Sequence, residues 1–377
     1  MSDQEIYKRF IDWLGKTWWG LPESEYLMPM IEAIYTPEDA ELLTGMPFSG
    51  KSLEELAALK NMKPEELTPR LTELARKGLV YESIRGDSVR YRLADSFFVT
   101  LRSKFWHGQT DAHTKKIASS INKYMMDGWM DQYADAQHKG LRTIPINKTV
   151  EDTRQLLPFE DIIKVLDEFE YFTVSACPCR HRHNLDPDTP NCNHPMEVCL
   201  HFDELGRYIV KNGLGREITK EETFDILRKS ADAGLVHAIS NWEEKPDTIC
   251  NCCSDACLWF EAYHKLGHGK SVDPSNYTIK VNQGTCKGCA LCVKRCHMDA
   301  LQLKVSDKAK NKIGKAATLN PDQCIGCGVC VHKCPTNSLV LEQNENITSP
   351  PRNAREYGSR FMADRQAARK KRSGKTS

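Results

Sequence analysis

The sequence has no long apolar run and no targeting segment at its start. No stretch approaches the roughly 18 apolar residues that span a membrane. The opening MSDQEIYKRF lacks the apolar core and small-residue cleavage site of a secretory signal. We therefore expect a cytoplasmic chain with no membrane insertion. Net charge is also nearly absent, at +1 over 377 residues, so the overall charge gives no reason to expect nucleic acid as a partner.

Motifs of common enzymes are missing as well. No nucleophile with a nearby general base stands out. The GKS at 50–52 lacks the upstream glycine and the strand of a phosphate-binding loop. Catalytic residues therefore stay unknown from the sequence, and enzyme status stays open.

Cysteine, in contrast, is abundant, with 16 residues. In a reducing compartment so many thiols favour metal ligation over disulfides. Two runs, CKGCALCVKRC and CIGCGVCVHKCP, share the spacing C-x2-C-x2-C-x3-C. Three thiolates at this step wrap three iron corners of one cubane, and the fourth points to a neighbouring cluster. We therefore expect the runs to exchange fourth ligands, with Cys286, Cys289, Cys292 and Cys334 holding one 4Fe-4S cluster, and Cys324, Cys327, Cys330 and Cys296 the other.

Similar flanking segments around the two runs indicate an internal duplication, in which each half is strand, cluster loop, helix and strand. The stretch from about 277 to 343 resembles the bacterial-type ferredoxins that carry two 4Fe-4S clusters. One departure is His297 after Cys296, where that family usually has proline, as Pro335 follows Cys334. His297 either adds a hydrogen bond near a cluster or is tolerated at the surface, and we favour tolerance. Two zinc ribbons are disfavoured, because such sites pair two well-separated C-x2-C knuckles.

A second set of eight cysteines forms two groups. The groups are Cys177, Cys179, Cys192 and Cys199, then Cys250, Cys252, Cys253 and Cys257. Each is preceded by a predicted strand, YFTVSA or GLVHAIS, and each strand by a predicted helix. If these strands pair, both groups meet at one edge. Adjacent Cys252 and Cys253 project in different directions, so they cannot easily face one cubane.

This second set predicts one or two further iron-sulfur clusters, with the ligand grouping left open. Zinc is the alternative, helped by four nearby histidines, His181, His183, His194 and His201. Arg180 and Arg182 would neutralise a cluster, bind an anion or lie at the surface. On SACPCR, GLVH and CNCC, the segment also resembles a poorly characterised group of 4Fe-4S binding proteins from anaerobes, which implies an anaerobic setting and no assigned role.

The N-terminal part has a different pattern. Residues from 44 to 93 predict helix, turn, helix and hairpin, with a Ser52/Glu55 capping box, and resemble a winged helix-turn-helix domain. Its second helix carries Glu65, Glu66 and Glu73 beside a similar number of basic residues, so DNA is disfavoured and protein docking preferred. The apolar spacing within 114–136 predicts a packing or homodimerisation helix.

The sequence thus predicts an α+β multidomain chain. Its segments are 1–100 with N-terminal helices and the winged helix, 101–155 as helical linker, 156–270 as Cys-rich α/β domain, 271–345 as ferredoxin-like dicluster domain, and 346–377 as a basic disordered tail. We expect an electron-transfer component that passes single electrons through its clusters to or from a partner oxidoreductase. The alternatives are an iron-sulfur-sensing transcription regulator and a reductase acting at the second cysteine set.

Overall fold

A computed structural model describes residues 1–86, 88–134, 136–146, 148, 150, 156–267, 269 and 271–373, and it mixes helices with short strands as an α+β chain should. The α-helices are α1 (Asp3–Leu14), α2 (Leu27–Ile34), α3 (Pro37–Leu43), α4 (Leu53–Lys60), α5 (Pro64–Arg76), α6 (Ser103–Phe105), α7 (Ala112–Tyr124), α8 (Asp131–Ala134), α9 (Ile162–Asp167), α10 (Pro178–Leu185), α11 (Asp203–Lys211), α12 (Lys220–Ala233), α13 (Leu258–Leu266), α14 (Leu291–Lys294), α15 (Val329–His332) and α16 (Ala354–Ser373). The strands are β1 (Val80–Arg85), β2 (Ser88–Leu93), β3 (Leu141–Thr143), β4 (Phe172–Ala176), β5 (Glu197–Phe202), β6 (Arg216–Ile218), β7 (Val236–Ser240), β8 (Thr248–Cys252), β9 (Tyr277–Val281), β10 (Leu301–Val305), β11 (Lys315–Leu319) and β12 (Leu339–Gln343). Among the described residues, none of these helices is long and apolar enough to cross a membrane.

The chain packs as two units. The first comprises 1–137, 171–218 and 358–377, and the second comprises 138–170 and 219–357. The predicted Cys-rich segment 156–270 contributes to both, with the first cysteine group in the first unit and the second group in the second. Residues 151–155 of the predicted linker and 374–377 of the predicted tail lie outside the described residues.

In the first unit, α4, α5 and the β1–β2 hairpin follow one another as the sequence predicts. Ser52 and Glu55 form the reciprocal capping box of α4. Pro69 lies inside α5, which begins at Pro64. Lys51 forms an isolated antiparallel bridge with Tyr91 of β2. Its N–H donates to the Tyr91 carbonyl at 2.9 Å, and its carbonyl accepts from the Tyr91 N–H at 2.8 Å.

The predicted packing helix is interrupted by a π-helical turn over Met125–Met130, between α7 and α8. A side chain on Gly128 would place its Cβ 2.8 Å from the Tyr124 ring, so only glycine fits this turn without displacement. Ile117, Ile121, Trp129 and Tyr133 are buried within the unit, which accounts for the apolar spacing.

The expectation of a disordered tail is wrong for Ala354–Ser373, which form α16. Phe361 is 1% exposed and lies 4.7 Å from the Trp19 ring and 6.1 Å from the Tyr133 ring. Arg365 donates to the carbonyls of Thr17 and Trp18. The few aromatic residues of this basic segment thus find partners far away in sequence, which composition does not show.

Each unit has a small antiparallel sheet beside its cysteine group. In the first unit β4 pairs with β5 on one side and β6 on the other. In the second unit β7 pairs with β3 and β8. Both edges of β4 and of β7 are therefore occupied by other strands, so the condition under which both cysteine groups would meet, direct pairing of β4 with β7, is not met.

The dicluster segment of the second unit consists of two antiparallel pairs, β9 with β12 and β10 with β11. The first strand of one half thus pairs with the last strand of the other, which closes the duplication on itself. Apolar residues of all four strands pack with three of the cysteines, Cys286, Cys292 and Cys330, in one buried cluster. The strands hold the cysteine loops in place.

Candidate iron-sulfur centres

The two cysteine loops of the dicluster segment have the same backbone conformation. Gly288 and Ala290 have φ of 72° and 60°, and the equivalent Gly326 and Gly328 have φ of 67° and 76°. This left-handed backbone turns the chain tightly between consecutive cysteines. Gly326 has no alternative, since a Cβ there would lie 2.3 Å from the Tyr277 carbonyl oxygen.

Thiols of the first loop lie near a thiol of the second run. Burial, together with the charges of Cys286, Cys334 and Cys289, raises the pKa of Cys292 to about 11. These four residues make up the first predicted ligand set. Crowded, buried thiols resist ionisation until a cation joins them, and metal ions supply that charge.

The other four thiols line one cavity. Cys296, Cys324, Cys327 and Cys330 face it together with apolar side chains such as Ile279 and Leu301. Burial raises the pKa of Cys327 to about 12, with the charges of Cys324 and Cys296 adding to the effect. Backbone amides already donate to two of these sulfurs, Ala300 N–H to Cys296 Sγ at 3.2 Å and Gly326 N–H to Cys324 Sγ at 3.5 Å.

The family model of the 4Fe-4S dicluster domain matches residues 285–338. The match supports a ferredoxin-like iron-sulfur domain in the C-terminal part of the chain, before α16. The match supports 4Fe-4S clusters and, in general, an electron-transfer role. A search of curated proteins found no match for the chain.

The residues present in the dicluster domain fit such clusters. Each of the two groups offers four thiols, the donor that iron-sulfur clusters take, and its surroundings are mostly apolar. Two zinc ions bound by the same eight thiols would need two separate pairs of C-x2-C knuckles. Here the fourth thiol of each group comes from the other run.

His297 is not a tolerated surface residue, contrary to expectation. The Ser254 N–H donates to its Nδ1 at 3.1 Å, and the Ser254 hydroxyl lies 3.0 Å from the same atom. Because an amide N–H only donates, Nδ1 is the acceptor and Nε2 carries the hydrogen that is donated to the Gly234 carbonyl at 2.6 Å. Burial lowers the pKa of His297, and the bond to Gly234 raises it in part. His297, the residue after Cys296, thus connects the dicluster domain to the CNCCSDAC loop.

A second helix end also contacts the dicluster domain. The Arg295 guanidinium donates to the carbonyls of Ala231 and Asp232 at the C-terminus of α12, and its Nε donates to Val329 at 3.1 Å. The Asp232 carboxylate pairs with Lys333 at 2.6 Å and accepts from His332 at 2.7 Å. These two partners lower the pKa of Asp232 to about 2. Positive groups at a helix C-terminus are favourable, which accounts for this arrangement.

Helix α13, which follows Cys257, packs on the same segment. Its Tyr263 hydroxyl donates to the Met298 carbonyl at 3.2 Å and accepts from Gln323 at 3.2 Å. His264 Nε2 lies 3.0 Å from the His297 carbonyl oxygen. The backbone around Cys296 is therefore held by α12, α13 and the CNCCSDAC loop together.

Three thiols of the second cysteine group lie together. Cys250 and Cys252 stand two residues apart on β8, on the same face of the strand, and Cys257 caps α13. Hydrogen bonds with Cys250 and with Cys257 raise the pKa of Cys252 well above its ordinary value, and burial adds to this. Cys253 follows the strand and is buried.

The first cysteine group is distributed over three elements of the first unit. Cys177 and Cys179 begin α10, Cys192 lies in the following loop and Cys199 lies on β5. The Asn184 side chain holds the backbone of Cys192 through bonds of 2.8 and 3.0 Å. His201 lies beside Cys199 and 2.9 Å from the Ser175 hydroxyl.

The two arginines and three of the four histidines of this region, His181, His183 and His201, are buried, and His194 is half-buried. Arg180 and Arg182 are each 1% exposed, so a surface role is wrong, and they donate to the Pro195 carbonyl and to Asn122. His181 Nδ1 lies 3.0 Å from the Phe105 carbonyl oxygen, a structural contact. No sequence pattern indicates Arg295, Asp232 or Ser254, because their contacts join segments 43 to 100 residues apart.

Proposed function

We propose that this chain is an electron-transfer protein that passes single electrons through two 4Fe-4S clusters, to or from a further metal site at the second cysteine set and a partner oxidoreductase. The ligand sets are those expected from the spacing: Cys286, Cys289, Cys292 and Cys334, then Cys324, Cys327, Cys330 and Cys296. Support comes from the shared cavity and from the charges that each group exerts on its own members. When bound, such clusters accept and return one electron at a time.

The observation that carries this proposal is the His297–Ser254 hydrogen bond of 3.1 Å. It ties a backbone segment that holds one cluster ligand, Cys296, to the loop between Cys253 and Cys257. A ferredoxin-like domain that only exchanged electrons with outside partners would need no such connection. The contact connects the backbone beside Cys296 with the loop between Cys253 and Cys257 within one unit, which supports a relay between the two thiol-rich sites.

The second cysteine set holds a third iron-sulfur cluster in this proposal, with zinc as the alternative metal. Cys250, Cys252 and Cys257 already lie together, whereas the remaining ligands of the set stay open. Both metals take thiolates, so the donor atoms alone do not distinguish them.

The helix-helix-hairpin of the first unit is a winged helix that docks protein rather than DNA. Its groove helix α5 exposes Glu65, Glu66 and Glu73. Two of the three basic residues at this helix are engaged inside the chain, since Arg70 donates to the Glu38 carbonyl at 3.3 Å and Lys77 pairs with Glu73 at 2.8 Å, while Arg76 is exposed. Phosphate contacts would require such cations to be available.

Metal analysis of anaerobically purified protein tests the proposal. Two 4Fe-4S clusters require about eight iron and about eight sulfide per chain, and a third cluster raises both by about four. Zinc is measured in the same samples. About eight iron with one or two zinc would replace the third cluster by a zinc site, and fewer than about four iron would overturn the electron-transfer proposal itself.

A further inference from the structure

One thiol of the dicluster domain reaches the surface. Of its eight cysteines, all within the described residues, Cys289 is exposed and the others are buried or half-buried. Electron transfer between proteins falls off with distance, so a partner gains by binding where a cluster is closest to solvent. The first ligand set therefore marks the side on which an outside partner would approach.

The loop between β10 and β11 is fixed over this side. The Asn311 side-chain amide donates to the Cys286 and Lys315 carbonyls, each at 2.7 Å. The Ile313 N–H donates back to Asn311 at 3.1 Å. Ile313 packs so closely on Gly288 that a Cβ there would lie 2.7 Å from its Cδ1. The loop is therefore part of the cluster-binding structure and not a freely solvated connection.

Exposed apolar and basic side chains lie on the Cys289 loop and on the β10–β11 hairpin that packs against it. Ile313 is 55% exposed and Leu291 is 37% exposed. The β10–β11 hairpin carries five exposed lysines against one acid, Asp307, and Lys287 and Lys294 add to them. The five are Lys304, Lys308, Lys310, Lys312 and Lys315. None of these lysines forms an ion pair with a described residue. Exposed lysines on the same loops as exposed apolar side chains suit a transient complex with an acidic protein.

We propose that this surface, the Cys289 surface formed by Lys287, Leu291, Lys308, Lys312, Ile313 and Lys315, docks an acidic electron-transfer protein. The inference rests on the proposed function and adds the chemistry of the partner. With a flavodoxin as partner, one electron leaves its hydroquinone, which becomes the semiquinone, and reduces the dicluster domain by one electron. The lysines steer the encounter, and Ile313 and Leu291 give the contact.

The test uses the full-length protein with an acidic flavodoxin as probe. Stopped-flow reduction by flavodoxin hydroquinone and equilibrium binding of oxidised flavodoxin are measured at low and high salt. Lys308→Glu with Lys312→Glu should lower the second-order rate constant about tenfold at low salt and weaken binding, with little difference at high salt. Lys229→Glu, an exposed lysine on α12 outside this surface, should change neither.

Three further measurements on the double variant separate the outcomes: reduction by dithionite, reduction of cytochrome c and binding of duplex DNA. Dithionite reduces the clusters without docking, so no spectral change with dithionite would overturn the proposed function, whereas normal reduction with unchanged flavodoxin kinetics in the double variant would overturn the docking surface alone. Cationic cytochrome c, used as acceptor, should be reduced faster by the double variant. Equal slowing with both proteins, or loss of duplex DNA binding with flavodoxin binding unchanged, would also overturn the docking surface.

Discussion

Arg295 Nη2 donates to the Ala231 carbonyl oxygen at 2.8 Å, so the residue before a predicted cluster ligand caps helix α12. The same guanidinium lines the cavity that Cys296, Cys324, Cys327 and Cys330 share. One side chain therefore serves two purposes. It fixes the helix end, and it places a positive charge beside thiolates that carry more negative charge after reduction.

Replacing Arg295 with glutamine should make the reduction potential of that cluster more negative, because the compensating charge is lost. The free energy of unfolding should fall by about 1–2 kcal/mol through the lost hydrogen bonds. Redox titration followed by electron paramagnetic resonance measures the first effect, and urea unfolding the second. Arg295→Lys keeps the positive charge but loses the two guanidinium hydrogen bonds to α12. The reduction potential should therefore stay near that of the unaltered protein, whereas the free energy of unfolding should still fall. An unchanged potential in Arg295→Gln would contradict the charge argument.

Cys296→Ala should damage the cluster held by the second run and leave the cluster of the first run largely intact, because Cys296 lines the cavity of Cys324, Cys327 and Cys330. Cys334→Ala should do the reverse, since Cys334 lies near Cys292. Paramagnetic resonance of the two variants side by side is the measurement. If each variant lost the cluster of its own run, the ligand exchange would be wrong.

The dicluster domain was predictable because its information is local. Fixed cysteine spacing and the repeated strand, loop, helix and strand determine each half without reference to distant residues. The Ser52/Glu55 capping box and the β1–β2 hairpin are local in the same sense. The role of His297 was not predictable, since its partners Ser254 and Gly234 lie 43 and 63 residues away. Whether β4 pairs with β7 was not predictable for a related reason: an apolar pattern predicts that a segment is a strand, but it does not show which strands lie beside it.

Phe361→Ala should destabilise the first unit by about 3 kcal/mol, because a fully buried ring is removed from contact with Trp19 and Tyr133. Thermal unfolding followed by tryptophan fluorescence would show it. Met362→Ala is the matched control, since Met362 is 41% exposed and should cost less than about 1 kcal/mol. Equal effects of the two variants would mean that α16 does not pack in solution.

The same packing means that removing residues 349–377 would uncover the aromatic cluster, so tests of DNA binding should use the whole chain.

Lys104→Met should stabilise the first unit at neutral pH. Burial, together with the charge of Lys77, lowers the pKa of Lys104 to about 7. In the unfolded chain the pKa of this lysine is about 10.4, so between about pH 7 and pH 10 the unfolded state binds more protons than the folded state. The free energy of unfolding therefore rises with pH over this range. The variant should lose this slope and gain more than about 1 kcal/mol at pH 7. Urea unfolding at several pH values tests this, with the exposed Lys116→Met expected to keep the slope.

His297→Ala should leave the iron of the dicluster domain in place, because His297 contributes no thiolate, yet loosen the loop that carries Cys253 and Cys257. We expect the second cysteine set to lose its metal about tenfold more readily to a chelator, as when a residue that orients a ligand is removed. Two variants separate the contacts. Asparagine keeps an acceptor near the position of Nδ1 for Ser254, and glutamine keeps a donor near Nε2 for Gly234. Retention restored by His297→Asn and not by His297→Gln would assign the effect to Ser254. Retention unchanged in all three variants would mean that the connection between the two thiol-rich sites has no part in holding the second metal.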